Sequence, residues 1–253
     1  MDAFFSNQRR GMILALDFDG VICDSIVECM ETSYQAFLVL NQGCSLPEKI
    51  PQEWKNIFCM RRGYVRPPGN FYMLWKWITE SPNKIITFNQ FENLCLNNKS
   101  VIEDFSELFH GIRSKKILDN KNLFIEQNKL FPGVKKNWPN SLENLIYIIT
   151  TKDIESVKII MDSAQLTCNG IYGRGSGPKS LSILKIAERN MVKPSDIIFV
   201  DDSVAHLEEV TITGCSTIHA TWGYELNDSY YPGRRARCFN EAIIMVKNDK
   251  NWY

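Results

Sequence analysis

The sequence has no surplus of charge of either sign, since Lys+Arg and Asp+Glu both number 29 in 253 residues. Nothing in that balance draws the chain toward nucleic acid or an anionic membrane. No apolar run reaches the length needed to cross a bilayer. The first eleven residues, MDAFFSNQRRG, carry neither an apolar signal core nor a small-residue cleavage site, so the expectation is a cytoplasmic protein. Histidine is scarce, at three, and the eight cysteines form no CxxC pair, which removes the usual zinc and dithiol signatures. In a reducing compartment most of these cysteines are expected as small core residues. Cys23 lacks a histidine near it in sequence, which argues against a thiol nucleophile. There is no internal repeat and no low-complexity tract. What is left, with 44% hydrophobic and 23% charged residues, is a globular composition long enough for one large core or two smaller ones.

The informative stretch is MILALDFDGVICDS, Met12 to Ser25. Met12 to Leu16 is an apolar run too short for an ordinary helix, and Gly20 follows the first polar cluster, which predicts a buried strand ending in a sharp turn. Helical spacing of apolar residues runs from Ile26 to about Asn41. Further helical patterns are built on Phe71, Leu74, Trp75 and Ile78, on Phe88, Phe91 and Leu94, and on Val101, Phe105, Leu108, Phe109 and Ile112. Two Pro- and Gly-broken loops, LNQGCSLPEKIP and RRGYVRPPGN, interrupt them. Arg113, Lys115 and Lys116 follow the last pattern, where cations suit a helix carboxyl end. No second strong strand signal precedes residue 140, so about a hundred helical residues are inserted after the first strand, enough for a small domain.

After the Pro-Gly turn of LFPGVKKNW the pattern becomes regular. Strands are predicted at Leu145 to Thr150, near Gly170 to Tyr172, at Asp196 to Val200 and at Ser216 to Thr221. Helices are predicted at Asp153 to Leu166, Ser180 to Met191 and Ala205 to Gly214. This alternation calls for an α/β fold, a doubly wound parallel sheet covered on both faces. The predicted domains are 1–24 with 130–253 for the α/β core, and 25–129 for the helical insertion.

Ligands of open parallel sheets bind outside the carboxyl ends of the strands. At those ends stand Asp17 and Asp19, Thr150, and Asp201 with Asp202. Residues two apart share a side of an extended strand, which pairs Asp17 with Asp19. Lys179 falls at a helix start, where the dipole disfavours a cation; a carboxylate cluster plus a phosphate would compensate. Each signal has a plain structural reading as well, a turn for the aspartates, an N-cap for Asp202, an exposed stem for Lys179. Two lookalikes fail. GRGSGPKS has neither the glycine spacing of a P-loop nor that of a dinucleotide site.

Taken together, LDFDGVICDS, the Thr150 of IITTK, Lys179, and VDDS at Val200 to Ser203 resemble the four motifs of the haloacid dehalogenase superfamily. FPGV and TWGY (Thr221 to Tyr224) point to its phosphoglycolate-phosphatase-like branch. The resemblance covers about residues 10–24 and 130–245. It implies a Rossmann-like core with a helical cap after the first strand and a phosphatase that forms an aspartyl-phosphate. Asp17 would be the nucleophile and Asp19 the general acid and base. Mg²⁺ would be held by Asp17, the Asp19 backbone carbonyl and Asp202, while Thr150 and Lys179 bind phosphoryl oxygens. Asp201 would orient Lys179 or a water, and Thr151 would touch substrate. Val21 and His206 depart from the pattern, standing where many relatives have a threonine and a carboxylate.

The substrate expected is a small soluble phosphomonoester, with no nucleic-acid or membrane partner; the oligomeric state is open. Arg62 and Arg66, in a loop stiffened by Pro67 and Pro68, are candidates to select an anionic substrate. A dehalogenase has no need of an acid at Asp19. A phosphomutase shares every core motif, and a non-catalytic binding protein on the same scaffold is the alternative outside enzymes.

Overall fold

The computed structural model describes residues 12–139, 145–224, 226 and 230–249. The N-terminal eleven residues, on which the expectation of no leader rests, lie outside them. Two compact units form, one from Asp24–Lys129 together with residue 226, the other from the segments on either side.

In the α/β unit, β1 (Ile13–Leu16) leads to the short β2 (Cys23–Asp24) and, after the helical unit, the chain returns through β3 (Lys129–Leu130). β2 and β3 pair with each other. The main sheet adds β4 (Leu145–Ile149), β5 (Gly170–Tyr172), β6 (Ile197–Asp201), β7 (Ser216–Ala220) and β8 (Arg234–Ala236), in the order β5-β4-β1-β6-β7-β8. Every pairing is parallel. All four residues of β1 and all five of β6 are buried, the unbroken burial that a sheet covered on both faces requires. Connections run outward from β1 to β4 and β5, then restart at β6 and run the other way. That reversal makes the ends of β1 and β6 the switch point where such sheets open a crevice.

Helices of this unit are α7 (Val134–Asn137), α8 (Ile154–Ala164), α9 (Lys179–Asn190), α10 (Val204–Thr211) and α11 (Phe239–Lys247), once the six of the helical unit, α1 to α6, are counted first. Asp153 caps α8 through the Ser156 N–H, and Gln165 closes it in the left-handed region. In this unit β2, β3, α7, β8 and α11 fall outside the sequence-based expectation.

The helical unit holds α1 (Ile26–Leu40), α2 (Gln52–Arg61), α3 (Phe71–Glu80), α4 (Phe88–Leu96), α5 (Lys99–Asp119) and α6 (Lys121–Glu126). Trp75 is the centre of its core, in ring contact with Tyr34 and Phe58 and donating its indole N–H to Ser33 Oγ at 2.8 Å. One expectation is corrected. Arg113 does not sit at a helix end; α5 continues to Asp119, and Arg113 turns inward to form a two-pronged pair with the fully buried Glu28 of α1, at 2.9 and 2.7 Å. The counter-charge, 85 residues away in sequence, is what lets a guanidinium be buried mid-helix.

The cysteine expectation also needs adjustment. All eight are free thiols, but only Cys23, Cys29, Cys95 and Cys215 are buried; Cys44, Cys59 and Cys238 are exposed. No described helix is long and apolar enough to cross a membrane.

Candidate active site

Leu16 pairs with Val200, so the two strands end side by side and deliver Asp17 and Asp201 to the same edge. Asp17 N–H donates to the Val200 carbonyl at 2.9 Å, which carries the register one residue past β1. Between the two carboxylates stands Lys179, the first residue of α9. Its Nζ lies 3.0 Å from Asp17 Oδ2 and 2.7 Å from Asp201 Oδ2. The lysine is 5% exposed, so the unfavourable placement at a helix amino end is offset by two buried carboxylates rather than by water. Glu209 of α10 secures that helix end, accepting from both the backbone N–H and the hydroxyl of Ser180 at 2.9 and 2.8 Å.

The charges do not settle equally. Burial dominates at Asp17, reinforced by Asp201, and it outweighs Lys179 and His206 to push the carboxyl up to about 6. Burial also works against charge at Asp201, but Lys179 and His206 prevail there and hold it below the usual carboxylate range. Asp201 is further fixed by the Ser203 N–H at 2.7 Å. Lys179, despite burial, is held above the ordinary lysine range by Asp17 and Asp201.

His206, on α10, brings Nδ1 to 3.3 Å from Asp201 Oδ2, a close contact not aligned as a hydrogen bond. Ligand atoms of Asp17, Asp201 and His206 all lie within 4.8 Å of one another. Asp202 is placed differently. Its Oδ2 accepts from the Tyr224 N–H at 2.7 Å, and its carboxylate packs against Gly20 and Gly223 so closely that a Cβ on either glycine would overlap it. Gly20 also needs its positive φ of 89°. Trp222 completes this clamp by donating its indole N–H to the Val21 carbonyl at 3.1 Å. Asp202 therefore does not cap α10; its carboxylate is turned to the loop that carries Asp17 and Asp19.

Thr150 follows β4 and is 6% exposed, while Thr151 next to it is exposed. Lys152, two residues on, is a site residue that strand-end reasoning passed over. Its Nζ lies 3.2 and 3.4 Å from the two oxygens of Asp19. The other missed member is the Tyr224 N–H, whereas His206, singled out by its departure from the family pattern, proves a close neighbour of the carboxylates. TTK and TWGY were the visible signals for the two missed members.

Arg62 and Arg66 belong to the helical unit's own packing. Arg62 is buried, donates to the Val65 carbonyl at 2.8 Å and faces the Phe71 ring. Arg66 pairs with Glu92 at 3.0 Å and lies over Phe88.

No protein-family model and no curated protein sequence matches the chain. Solved structures do share its architecture. A predicted phosphoglycolate phosphatase from Haemophilus somnus aligns with a TM-score of 0.67 at 16% identity, over 95% of this chain and 99% of that one. A haloacid dehalogenase-like family hydrolase from Streptococcus pneumoniae gives 0.63 at 19% identity, over 92% and 97%. A predicted phosphatase from Clostridium acetobutylicum gives 0.61 at 15%, over 94% and 98%. The chain thus has the fold of haloacid dehalogenase-like hydrolases.

Proposed function

We propose that this protein is a phosphatase of the haloacid dehalogenase type, which hydrolyses a small soluble phosphomonoester through a phosphorylated Asp17. The observation that carries the reading is the buried Asp17–Lys179–Asp201 cluster at the switch point of the sheet, with a second carboxylate, Asp19, two residues on.

Asp17 offers a carboxylate oxygen at the end of the central strand. That oxygen forms a bond to phosphorus as the bond to the ester oxygen breaks, and Asp19 gives its proton to the departing alcohol. Asp19, now a carboxylate, takes a proton from water; the water oxygen attacks phosphorus, the bond to Asp17 breaks, and inorganic phosphate leaves. Lys179 and the Thr150 hydroxyl donate to phosphoryl oxygens and stabilise the charge that spreads over them. Asp201 keeps Lys179 charged and aimed. Thr151, exposed beside Thr150, is read as a substrate contact, and the helical unit as a cap that selects substrate and excludes water. Arg62 and Arg66 are left out of the substrate site, because their guanidiniums serve the cap's packing.

A hard divalent cation suits the carboxylates gathered here, since ligand atoms of Asp17 and Asp201 lie with His206 within 4.8 Å of one another; the resemblance adds Asp202 and the backbone carbonyl of Asp19 as the groups that would hold it. Mg²⁺ bound by these groups would neutralise part of the charge on the phosphoryl oxygens and on Asp17. The test is a panel of phosphomonoesters incubated with the purified protein and Mg²⁺, scored by phosphate release. Release that is lost in Asp17→Asn supports the reading. No release from any ester, or release untouched by Asp17→Asn, overturns it.

A further inference from the structure

Two lysines are buried at the carboxyl edge of the sheet, and the mechanism above uses only one. Lys179 serves Asp17 and Asp201. The side chain of Lys152 has no exposed surface at all, while that of its partner Asp19 keeps 17%, so the ammonium lies on the inner side of a carboxylate that faces outward. Lysine is almost never fully buried without a partner, and here the partner is met at both oxygens, 3.2 and 3.4 Å away.

The stem that carries this ammonium is itself fixed. Lys152 N–H donates to Thr150 Oγ1 at 3.2 Å, and its carbonyl accepts from the Arg174 N–H at 3.0 Å. Gly173 approaches the same carbonyl so closely that a Cβ would overlap it. One loop after β4 therefore presents both the Thr150 hydroxyl and a rigid cation aimed at Asp19.

We infer that Lys152 is a positioning residue for Asp19: its ammonium spans both oxygens of the ionised carboxylate and keeps hold of one when the other carries the proton for the leaving alcohol, so that the side chain stays in one orientation. The inference rests on the phosphatase reading and deepens it. A free aspartate explores several rotamers, and proton transfer needs the oxygen within hydrogen-bond reach of the leaving group. A two-point hold from a buried, loop-anchored ammonium removes that freedom before substrate arrives. On this account Lys152 touches neither substrate nor phosphorus, and its loss acts on both proton transfers of Asp19, to the leaving alcohol and then from the attacking water.

The test uses the full chain with Lys152→Met and Lys152→Gln, assayed with Mg²⁺ on alkyl phosphates and on aryl phosphates of increasingly acidic phenols. For alkyl phosphates kcat/KM, which reports the steps up to departure of the alcohol, should fall by about 10- to 100-fold, and for the most acidic phenol by much less, because that leaving group departs without a proton. Inhibition by inorganic phosphate should stay within about threefold, since the phosphate contacts of Thr150 and Lys179 remain. Lys152→Arg, which keeps two donors, should recover part of the loss on alkyl phosphates. Adding Lys152→Met to Asp19→Asn should cost nothing further, and this double variant leaves no unpaired charge that would threaten folding. An equal loss of kcat/KM on every leaving group, unchanged kcat/KM for alkyl phosphates in a folded Lys152 variant, or additive losses in the double variant would overturn the inference while leaving the phosphatase reading intact. A wild-type protein inactive on all esters would overturn both.

Discussion

The ammonium of Lys179 stands 3.0 Å from the carboxylate of Asp17, with both groups buried, and yet the carboxyl remains raised to about 6. One cation shared with Asp201 is not enough to offset the burial of a second carboxylate. On the phosphatase reading, the buried nucleophile would then not be tied up in a saturated ion pair. Asp17→Asn should fold and lose at least about 10³-fold in kcat, because an amide cannot form the covalent intermediate. Phosphate release by the purified variant, alongside its circular dichroism, checks both halves.

The same raised value makes a prediction about stability. In the unfolded chain the Asp17 carboxyl titrates near 3.8, and in the folded protein at about 6, so the folded state binds the proton more tightly. Its contribution is therefore complete below 3.8 and is lost as pH rises through about 6, a change of about 3 kcal/mol. Asp17→Asn cannot ionise and escapes that loss. In EDTA, its melting temperature should gain on wild type as pH is raised from 4 to 7. Parallel curves for the two proteins would show that burial is not what governs Asp17.

Asp201 should behave in the opposite sense. Lys179 and His206 hold its carboxyl low, so the stabilisation is present above the ordinary 3.8 and disappears as pH falls through the depressed value. Asp201→Asn leaves Lys179 paired with Asp17 and removes the carboxylate that competes for it, so it should cost about 1–3 kcal/mol at neutral pH, the loss of a charged hydrogen bond. Urea unfolding at pH 7 reads this directly.

Much of this arrangement is legible from the chain alone, for a physical reason. β1, β4 and β6 are central strands buried on both faces, so they read as continuous apolar runs that end in polar residues, and those ends are where Asp17, Thr150 and Asp201 stand. β8 is written Arg-Arg-Ala at the sheet edge and has no such signal. The helix α2 buries only Ile57 and Phe58, too few apolar positions to mark a face. Long-range charge pairing is the other blind spot. Nothing local ties Lys152 to Asp19, Arg113 to Glu28, or the Tyr224 N–H to Asp202, because each contact joins segments that meet only after folding.

Metal removal is the next check. EDTA should abolish phosphate release, and added Mg²⁺ should restore it. Asp202→Asn should raise the Mg²⁺ concentration for half-maximal activity by about 10- to 100-fold, with a smaller effect on kcat at saturating metal. The amide keeps an acceptor for the Tyr224 N–H, so the loop clamp survives and the effect isolates the lost charge. Undiminished activity in chelated protein, or unaltered Mg²⁺ dependence in the variant, would remove Asp202 from the metal site.

The last prediction concerns the helical unit alone. Glu28 accepts both prongs of Arg113 and also the Thr32 hydroxyl at 2.9 Å, while the guanidinium lies over the Phe109 ring at 4.4 Å. This joins α1 to α5 across the interior, where neither group can turn to water. Arg113→Met should therefore destabilise by about 3–5 kcal/mol, because Glu28 is left buried without its guanidinium. Glu28→Gln should cost less, since an amide still accepts from Arg113, yet it strands a positive charge. The double variant Glu28→Met/Arg113→Met removes both charges and should regain most of the loss, which no additive scheme allows. Urea unfolding of the four proteins measures the coupling. Additive losses would mean that the pair contributes only through the packing of its stems around Phe109, and that its charges are incidental to the fold.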